Sequence, residues 1–552
     1  MNSVNITFEN GEVKSFPSFM TYYDIIKSQK LEKEVIGVIV NDKVSNLGDK
    51  PTGDTAIKYA RLSDTNGSRM YEAGLRMLIE YAAKKVLPGL VVCFTYDLPH
   101  GLVVEFKTTD ILSKETRQKI IQEMKKAVQD NLVIKKLYLK SYEGIKYYKK
   151  NKNRIKEKNI QNIIDDTIVL YQLGDLINYY YYEMPYTMGI IDKYDIKWID
   201  NNRAVVTFPT MYDSNNKSEQ VTSDDNYRLI MDAYKNGQSW LELLRVPYIN
   251  NINDLITRGK IEDFVRTSEL AFNLEINMAA KEIASDENIK CILLAGPSSS
   301  GKTTVTKRLA DYLRIFGKEP IVISIDDYFK ERVDTPKDAD GNYDFECPEA
   351  TDNDYLTKDV QRLLNGEEVQ LPIFNFVTGK KELKGPKIKL RENTLLLFEG
   401  LHAINPKTLP FIDEKVKYRI FISPYNPLCI DEQNYISTED LRLLRRIVRD
   451  FRTRGYSVVS SLESWGRVRS GEEKYILPLV SNANKIINTS LPYEVGVLKV
   501  MVSPLLFSVP ISSPWYGEAR RLLSFLKQFF TINSEYVPKD SILREFIGGN
   551  ND

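Results

Sequence analysis

The 552-residue chain is poor in metal-binding and redox residues, with only four cysteines and two histidines. Cys93, Cys291, Cys347 and Cys429 lie far apart and form no CxxC pair, which argues against a disulfide framework or a zinc site and fits a reducing compartment. His100 and His402 are too few to build a His-rich zinc centre. An excess of one charge is missing too. The 76 Lys and Arg residues balance 75 Asp and Glu, so no overall field steers the chain to nucleic acid or membrane. Long apolar runs are also absent. The longest uncharged stretch, VMVSPLLFSVPISSPWYG from Val500, carries Pro504, Pro510 and Pro514, which are expected to break it and make it a poor membrane span. The opening MNSVNITFENGEV has neither a basic patch nor an apolar core, so no signal peptide is expected. The expected location is cytoplasmic, with no membrane partner. At 27% charged and 42% hydrophobic residues the composition is that of a globular protein, and the length calls for three or four domains.

The pattern changes along the chain. Residues 1–62 read as short strands: NITFENGEVKSF turns at Asn10-Gly11, and VIGVIVNDKV turns at Asn41-Asp42, as in a small ubiquitin-like β-grasp module. Residues 63–225 read as α+β. They contain an expected amphipathic helix, MYEAGLRMLIEYAAKKVLPG, with Leu75, Leu78 and Ile79 on one face. LVVCFTYD and LVVEFKTT read as strands. The lysine-rich KYYKKNKNRIKEKNIQN reads as a solvated helix or loop, and the tyrosine-rich NYYYYEMPYTMG as packing. Residues 226–274 form a helical linker, 275–500 an α/β domain and 501–552 a helical extension. In the α/β part, KCILLA, PIVISID, TLLLFEG, VKYRIFIS and NKIINTSL alternate with helices, which predicts a parallel sheet covered on both faces.

AGPSSSGKTT carries the clearest chemistry. Gly296, Pro297, Ser298, Ser299, Ser300, Gly301, Lys302 and Thr303 fit GxxxxGK[ST], between a strand and a helix that stops at Gly317. Backbone N–H groups there, with Thr304 in the first helical turn, face the phosphates of a nucleotide. Lys302 is expected to bridge the terminal phosphates and Thr303 to reach Mg²⁺. No guanine-reading NKxD follows, which counts against a GTPase. The next strand ends in Asp326 and Asp327. Ligands of open α/β sheets sit beyond the carboxyl ends of the strands, so Asp326 is placed to position and deprotonate an acceptor hydroxyl. Asp327 is assigned to capping the next helix. Glu399 leaves its strand at the matching level and is expected to hold Mg²⁺ through water. Further on, STEDLRLLRRIVRDFRTRG reads as a helix with a Ser437–Asp440 capping box. Its buried stripe is expected at Leu441, Leu444, Val448 and Phe451, with Arg442, Arg446 and Arg449 on another face and Arg454 at its end, as a lid that clamps ATP phosphates.

GPSSSGKTT, IDDYFK, YDFECPEATDND, VQLPIFNFVTGKKE, LLLFEGLH and RLLRRIVRDFRTRG run in the order of the uridine kinase and phosphoribulokinase family, which the segment from about 275 to 500 resembles. The N-terminal part resembles the TGS domain and the second additional domain of threonyl-tRNA synthetase. The resemblance implies a P-loop kinase fold, with a parallel sheet and flanking helices, preceded by the β-grasp and α+β modules. It implies Asp326 as catalytic base, with Lys302, Arg446 and Arg449 in the catalytic group and Glu399 near magnesium. Arg449 and Arg454 join the ATP-binding loop residues. The acceptor side takes Asp326, Tyr328, Glu346, Phe374, Phe376 and Arg446. Glu346 stands where those enzymes keep a ribose-holding aspartate, Phe374 where they use a tyrosine and Gly379 where they use a base-reading histidine. With both polar contacts replaced, discrimination for a pyrimidine falls. In the synthetase-like part, Glu72 and Arg76 occupy the places of an HxxxH pair, so a binding or regulatory module is expected there. The expected activity is ATP- and Mg²⁺-dependent phosphorylation of a small-molecule hydroxyl, most of all a nucleoside 5′-OH. The alternatives are a kinase for a non-nucleoside sugar or alcohol, and a nucleotide-regulated RNA- or ribosome-binding factor. RNA at the N-terminal modules and a homo-oligomer are the further candidate partners.

Overall fold

The computed structural model describes residues 3–163, 165–212, 224–338, 341–375 and 378–549. At the N-terminus, strands Ser3–Thr7 and Val13–Pro17 pair as a hairpin. Val35–Val40 and Lys43–Asn46 pair through Asn41 and Asp42, both left-handed at φ 50 and 58, the backbone that a tight two-residue turn demands. Thr55–Arg61 completes the sheet by pairing parallel to the first strand and antiparallel to the third.

The long helix Thr65–Val86 follows. It is not amphipathic in its surroundings: Leu75, Leu78 and Ile79 are buried, and so are Arg76 at 1% and Glu80 at 0% exposure. The reason is that protein covers it on several sides. Asn178 and Tyr180 donate to the Glu80 carboxylate, Arg76 donates to the Gln433 carbonyl at 2.8 Å, and the Tyr435 hydroxyl donates to Glu72 at 2.8 Å. Gln433 and Tyr435 belong to a small hairpin, Cys429–Asp431 with Asn434–Tyr435, that the C-terminal half inserts into the N-terminal half. The lysine-rich stretch folds as helices Ser141–Lys150 and Arg154–Asn162 and meets the same hairpin. Lys156 is therefore not solvated. It is 1% exposed and pairs with Asp431 at 2.9 Å. The tyrosine run is used for packing: Tyr180 is buried, and Tyr181 donates to the Arg521 carbonyl at 2.6 Å.

The C-terminal half holds a five-stranded parallel sheet in the order Glu319–Ser324, Thr394–Glu399, Cys291–Ala295, Lys417–Ser423, Lys485–Asn488. The first strand in sequence, Cys291–Ala295, lies in the middle, so connections leave it in both directions and a crevice opens at its carboxyl end. The register places Ser324 and Leu294 opposite Glu399. The following helix, Lys302–Ile315, buries Val305, Leu309 and Leu313 against the sheet, each worth about 1.5–3 kcal/mol. Pro504 does not break its segment. It lies inside helix Glu494–Phe507, four residues after the half-exposed Val500, whose carbonyl loses a helical partner where water can replace it. Among the described residues no helix is long and apolar enough to cross a membrane.

Candidate active site

The completely buried strand Cys291–Ala295 delivers the chain to the loop. Only glycine fits at 296, because an added Cβ would lie 2.5 Å from Ile422 Cγ1 and 2.6 Å from the Ile422 carbonyl oxygen. Ser299 and Gly301 take left-handed backbone, φ 62 and 92, which turns successive N–H groups inward and launches the helix at Lys302. The Ser299 and Ser300 hydroxyls are buried without hydrogen-bond partners, a donor-rich lining that fits a polyanion. Lys302 Nζ donates to the Gly296 carbonyl at 3.0 Å. Thr303 is exposed. Thr304 Oγ1 donates to Glu545 at 2.9 Å, a contact from the far C-terminus that nothing local announces.

The strand Glu319–Ser324 runs into a short 3-10 turn, Ile325–Tyr328, so Asp326 stands just beyond the sheet edge. Its carboxylate accepts from Leu401 N–H at 3.2 Å. Gly400 permits this approach, since a Cβ there would meet Ile325 Cβ at 2.7 Å and Asp326 Oδ1 at 3.1 Å. Asp327 does not cap a helix. It accepts from Phe374 N–H at 3.0 Å, and the next α-helix, Asn353–Leu364, is capped by Asp352. Glu399 is buried and accepts from Ser324 Oγ at 2.8 Å. Burial and the neighbouring Asp326 charge push its carboxyl up to about 7, against the pull of Lys302. Two close carboxylates with hydroxyls beside them are hard oxygen donors and fit Mg²⁺, which takes one or two carboxylates and fills its other positions with water and phosphate oxygens. Among the described residues no cluster of three or more His, Cys, Asp or Glu side chains forms a closed metal cage.

The arginine helix, Thr438–Thr453, starts differently from its sequence signature. Ser437 Oγ accepts from Glu439 N–H at 3.2 Å, and Asp97 of the N-terminal half accepts from Thr438 N–H at 3.0 Å. Asp440 closes no capping box because Arg521 takes both its oxygens, at 2.8 and 2.6 Å. Leu441, Leu444 and Val448 are buried, but Phe451 is 52% exposed, because the last turn runs past the core. Arg442 and Arg446 are buried rather than solvated. Arg442 donates twice to the Ser298 carbonyl at 3.0 Å and pairs with the fully buried Glu472, while Arg446 donates to Ser298 Oγ at 3.1 Å. The helix thus lies directly on the phosphate loop. Asp450, 0% exposed, collects Arg446, Arg449 and Arg454 at 3.3, 2.8 and 3.6 Å. Arg454, at the end of the helix, keeps 36% of its side chain exposed. Asp450 escaped the sequence reading, although it stands four residues after Arg446 and four before Arg454.

Glu346 joins this group. Its carboxyl is influenced by Glu472, Arg446, Lys302 and Arg442, and burial followed by the Glu472 charge pushes it up to about 8. Gly471 makes room for it, because a Cβ there would lie 2.3 Å from Glu346 Cβ. Helix Val458–Tyr475 buttresses the arginine helix: its Trp465 donates to Glu439 at 3.1 Å, and its Arg469 pairs with both Glu472 and Glu473 at 2.8 Å, next to Arg442. Two expected acceptor-side residues are turned to packing. Tyr328 is 1% exposed and donates to Asp359 at 3.1 Å, and Phe374 meets Phe329 edge-on at 5.8 Å. Phe376 lies outside the described residues. Gly379 sits at φ 68, and a side chain there would strike Arg332, with Cβ at 2.8 Å from both its Cβ and Nε.

Residues 291–494 match the family model for the Phosphoribulokinase / Uridine kinase family. A uridine kinase from Chlamydia pneumoniae is 31% identical over 196 residues, 35% of this chain and 79% of that protein. A uridine kinase from Bacillus subtilis is 29% identical over 203 residues, 36% of this chain and 86% of that protein. Uridine-cytidine kinase-like 1 from Mus musculus is 28% identical over 199 residues, 35% of this chain and 32% of that protein. A solved structure of a possible uridine kinase from Bacillus stearothermophilus is 22% identical, with TM-score 0.23, over 27% of this chain and 78% of its own.

Proposed function

We propose, because the chain belongs to the phosphoribulokinase and uridine kinase family through residues 291–494, that it transfers the terminal phosphoryl group of ATP to a small-molecule hydroxyl, a nucleoside 5′-OH above all. The observation that carries this reading is Asp326, fixed by Leu401 N–H beside a Glu399 carboxyl that feels both Asp326 and Lys302. In this reading Asp326 is the acceptor base beside the phosphate loop. In the proposed reaction the loop N–H groups and Lys302 hold the phosphates, and Arg446 and Arg449 close over them. Asp326 orients the acceptor hydroxyl and takes its proton as the new O–P bond forms and the bond to the leaving diphosphate breaks. Thr303 and Glu399 are the residues to hold Mg²⁺, which when bound neutralises charge on the phosphates. Glu346, kept largely protonated near neutrality, offers a donor as well as an acceptor to the acceptor molecule.

The test is ADP release from Mg·ATP with a panel of nucleosides, sugars and other alcohols, and with RNA and ribosomes. Turnover that depends on a nucleoside supports the proposal. Turnover with a non-nucleoside alcohol keeps the kinase and changes the acceptor, and turnover with RNA or ribosomes alone overturns it.

A further inference from the structure

The C-terminal segment is built into the phosphate loop. Ser541, Ile542, Leu543 and Phe546 are buried. Ile542 seats against Gly301, where a Cβ would lie 2.3 Å from Ile542 Cδ1. Phe546 lies 5.0 Å from the Arg445 guanidinium, and its carbonyl accepts from Arg452 at 2.5 Å. Arg544 donates to the carbonyls of Ser534, Val537, Pro538 and Gly548, which ties the segment into one unit. Between these anchors Glu545 reaches the first turn of helix Lys302–Ile315. Its Oε2 accepts from Thr304 Oγ1 at 2.9 Å and from Thr304 N–H at 3.4 Å. Those donors belong to the helix start that the loop presents to anions.

We propose that the Glu545 carboxylate is an internal stand-in for a nucleotide phosphate: it holds the helix start in the free protein, and ATP displaces it on binding. This rests on the kinase reading above and adds the regulation of that site. A phosphate at the helix start competes with the carboxylate for the Thr304 N–H, and two like charges within hydrogen-bonding distance of the same residue repel strongly where water is partly excluded. The Glu545 side chain therefore has to leave for the loop to fill, which frees the segment of the hydrogen bonds that tie it to the helix start, and binding is weakened by what the displaced contact was worth. Because the segment also rests on Arg445 and Arg452, its displacement reports at the arginine helix.

The experiment uses the full chain with Mg²⁺ and a non-hydrolysable ATP analogue. Calorimetric titration compares the wild type, Glu545→Gln and Lys302→Ala, and hydrogen exchange follows residues 541–549 in the wild type with and without the analogue. The expected result is binding that Lys302→Ala weakens, a Kd about tenfold lower in Glu545→Gln, and faster exchange of the segment in the complex. The exchange measurement needs no variant, so it stands even if Glu545→Gln folds poorly. Lys302-dependent binding with unchanged or weaker affinity in Glu545→Gln, or slower exchange in the complex, overturns the stand-in and leaves the nucleotide site intact. No binding by the wild type or by Glu545→Gln removes the nucleotide site and the stand-in together.

Discussion

In the groove of the N-terminal half that receives the hairpin Cys429–Asp431 with Asn434–Tyr435, Lys156 faces Asp431 at 2.9 Å with both side chains 1% exposed, and Arg76, Glu72 and Asn159 are spent on the same hairpin. At the phosphate loop, acids crowd acids. Glu399 stands beside Asp326 and Glu346 beside Glu472, and the first of each pair is pushed to about 7 and about 8. Both regions bury charge, so charge density does not tell them apart. The groove sets Lys156 against Asp431 and Arg76 against Glu72, opposite charges from the same chain. The loop keeps like charges together in a low-dielectric cleft, an arrangement whose cost falls when a cation or a proton arrives.

The sharpest way to break this contrast is Asp326→Asn. Transfer to the best acceptor should fall about 10²- to 10⁴-fold while nucleotide binding persists. Unchanged transfer would place the chemistry elsewhere. On the groove side, Lys156→Ala leaves the buried Asp431 without its counter-charge, with Gln433 N–H and Asn434 still donating to it, so urea unfolding should show a loss of about 3–5 kcal/mol. A loss below about 1 kcal/mol would mean that water or relaxation serves the groove as well as the lysine does.

A third test concerns the pH dependence that Glu346 confers. Its folded value of about 8 lies above the unfolded one of about 4.3, so the native state holds the proton longer. The sign follows from linkage: stability is highest below the unfolded value and declines as pH rises through about 8. Glu346→Gln removes that slope. The melting temperature of the variant minus that of the wild type should therefore increase from pH 5 to pH 9. A difference that stays flat over that range would show that Glu346 ionises freely.

Much of the candidate site is legible in the sequence. The glycines at 296 and 301, the apolar strand before them and the 3.6-residue periodicity after them are local signals, and Gly296 and Gly301 occupy positions where contact and φ demand glycine. The carboxylates closing two strands were legible for the same reason, because a parallel sheet brings strand ends to one edge. Less legible were residues whose role depends on a distant partner. Asp327 looked like a cap but accepts from Phe374, and Asp440 looked like half of a capping box but belongs to Arg521. The solvated reading of the lysine-rich stretch failed at Lys156, where Asp431 is 275 residues away.

By itself, then, the sequence determined the loop, the parallel αβ pattern and the types of side chain at its rim, because backbone sterics and hydrophobic periodicity act over a few residues. Only the tertiary structure decided which charge meets which. Asp97 caps the arginine helix across 341 residues, and Glu545 reaches Thr304 across 241. Coulomb energy and desolvation depend on distance and burial in space, and the spacing of letters along the chain carries neither.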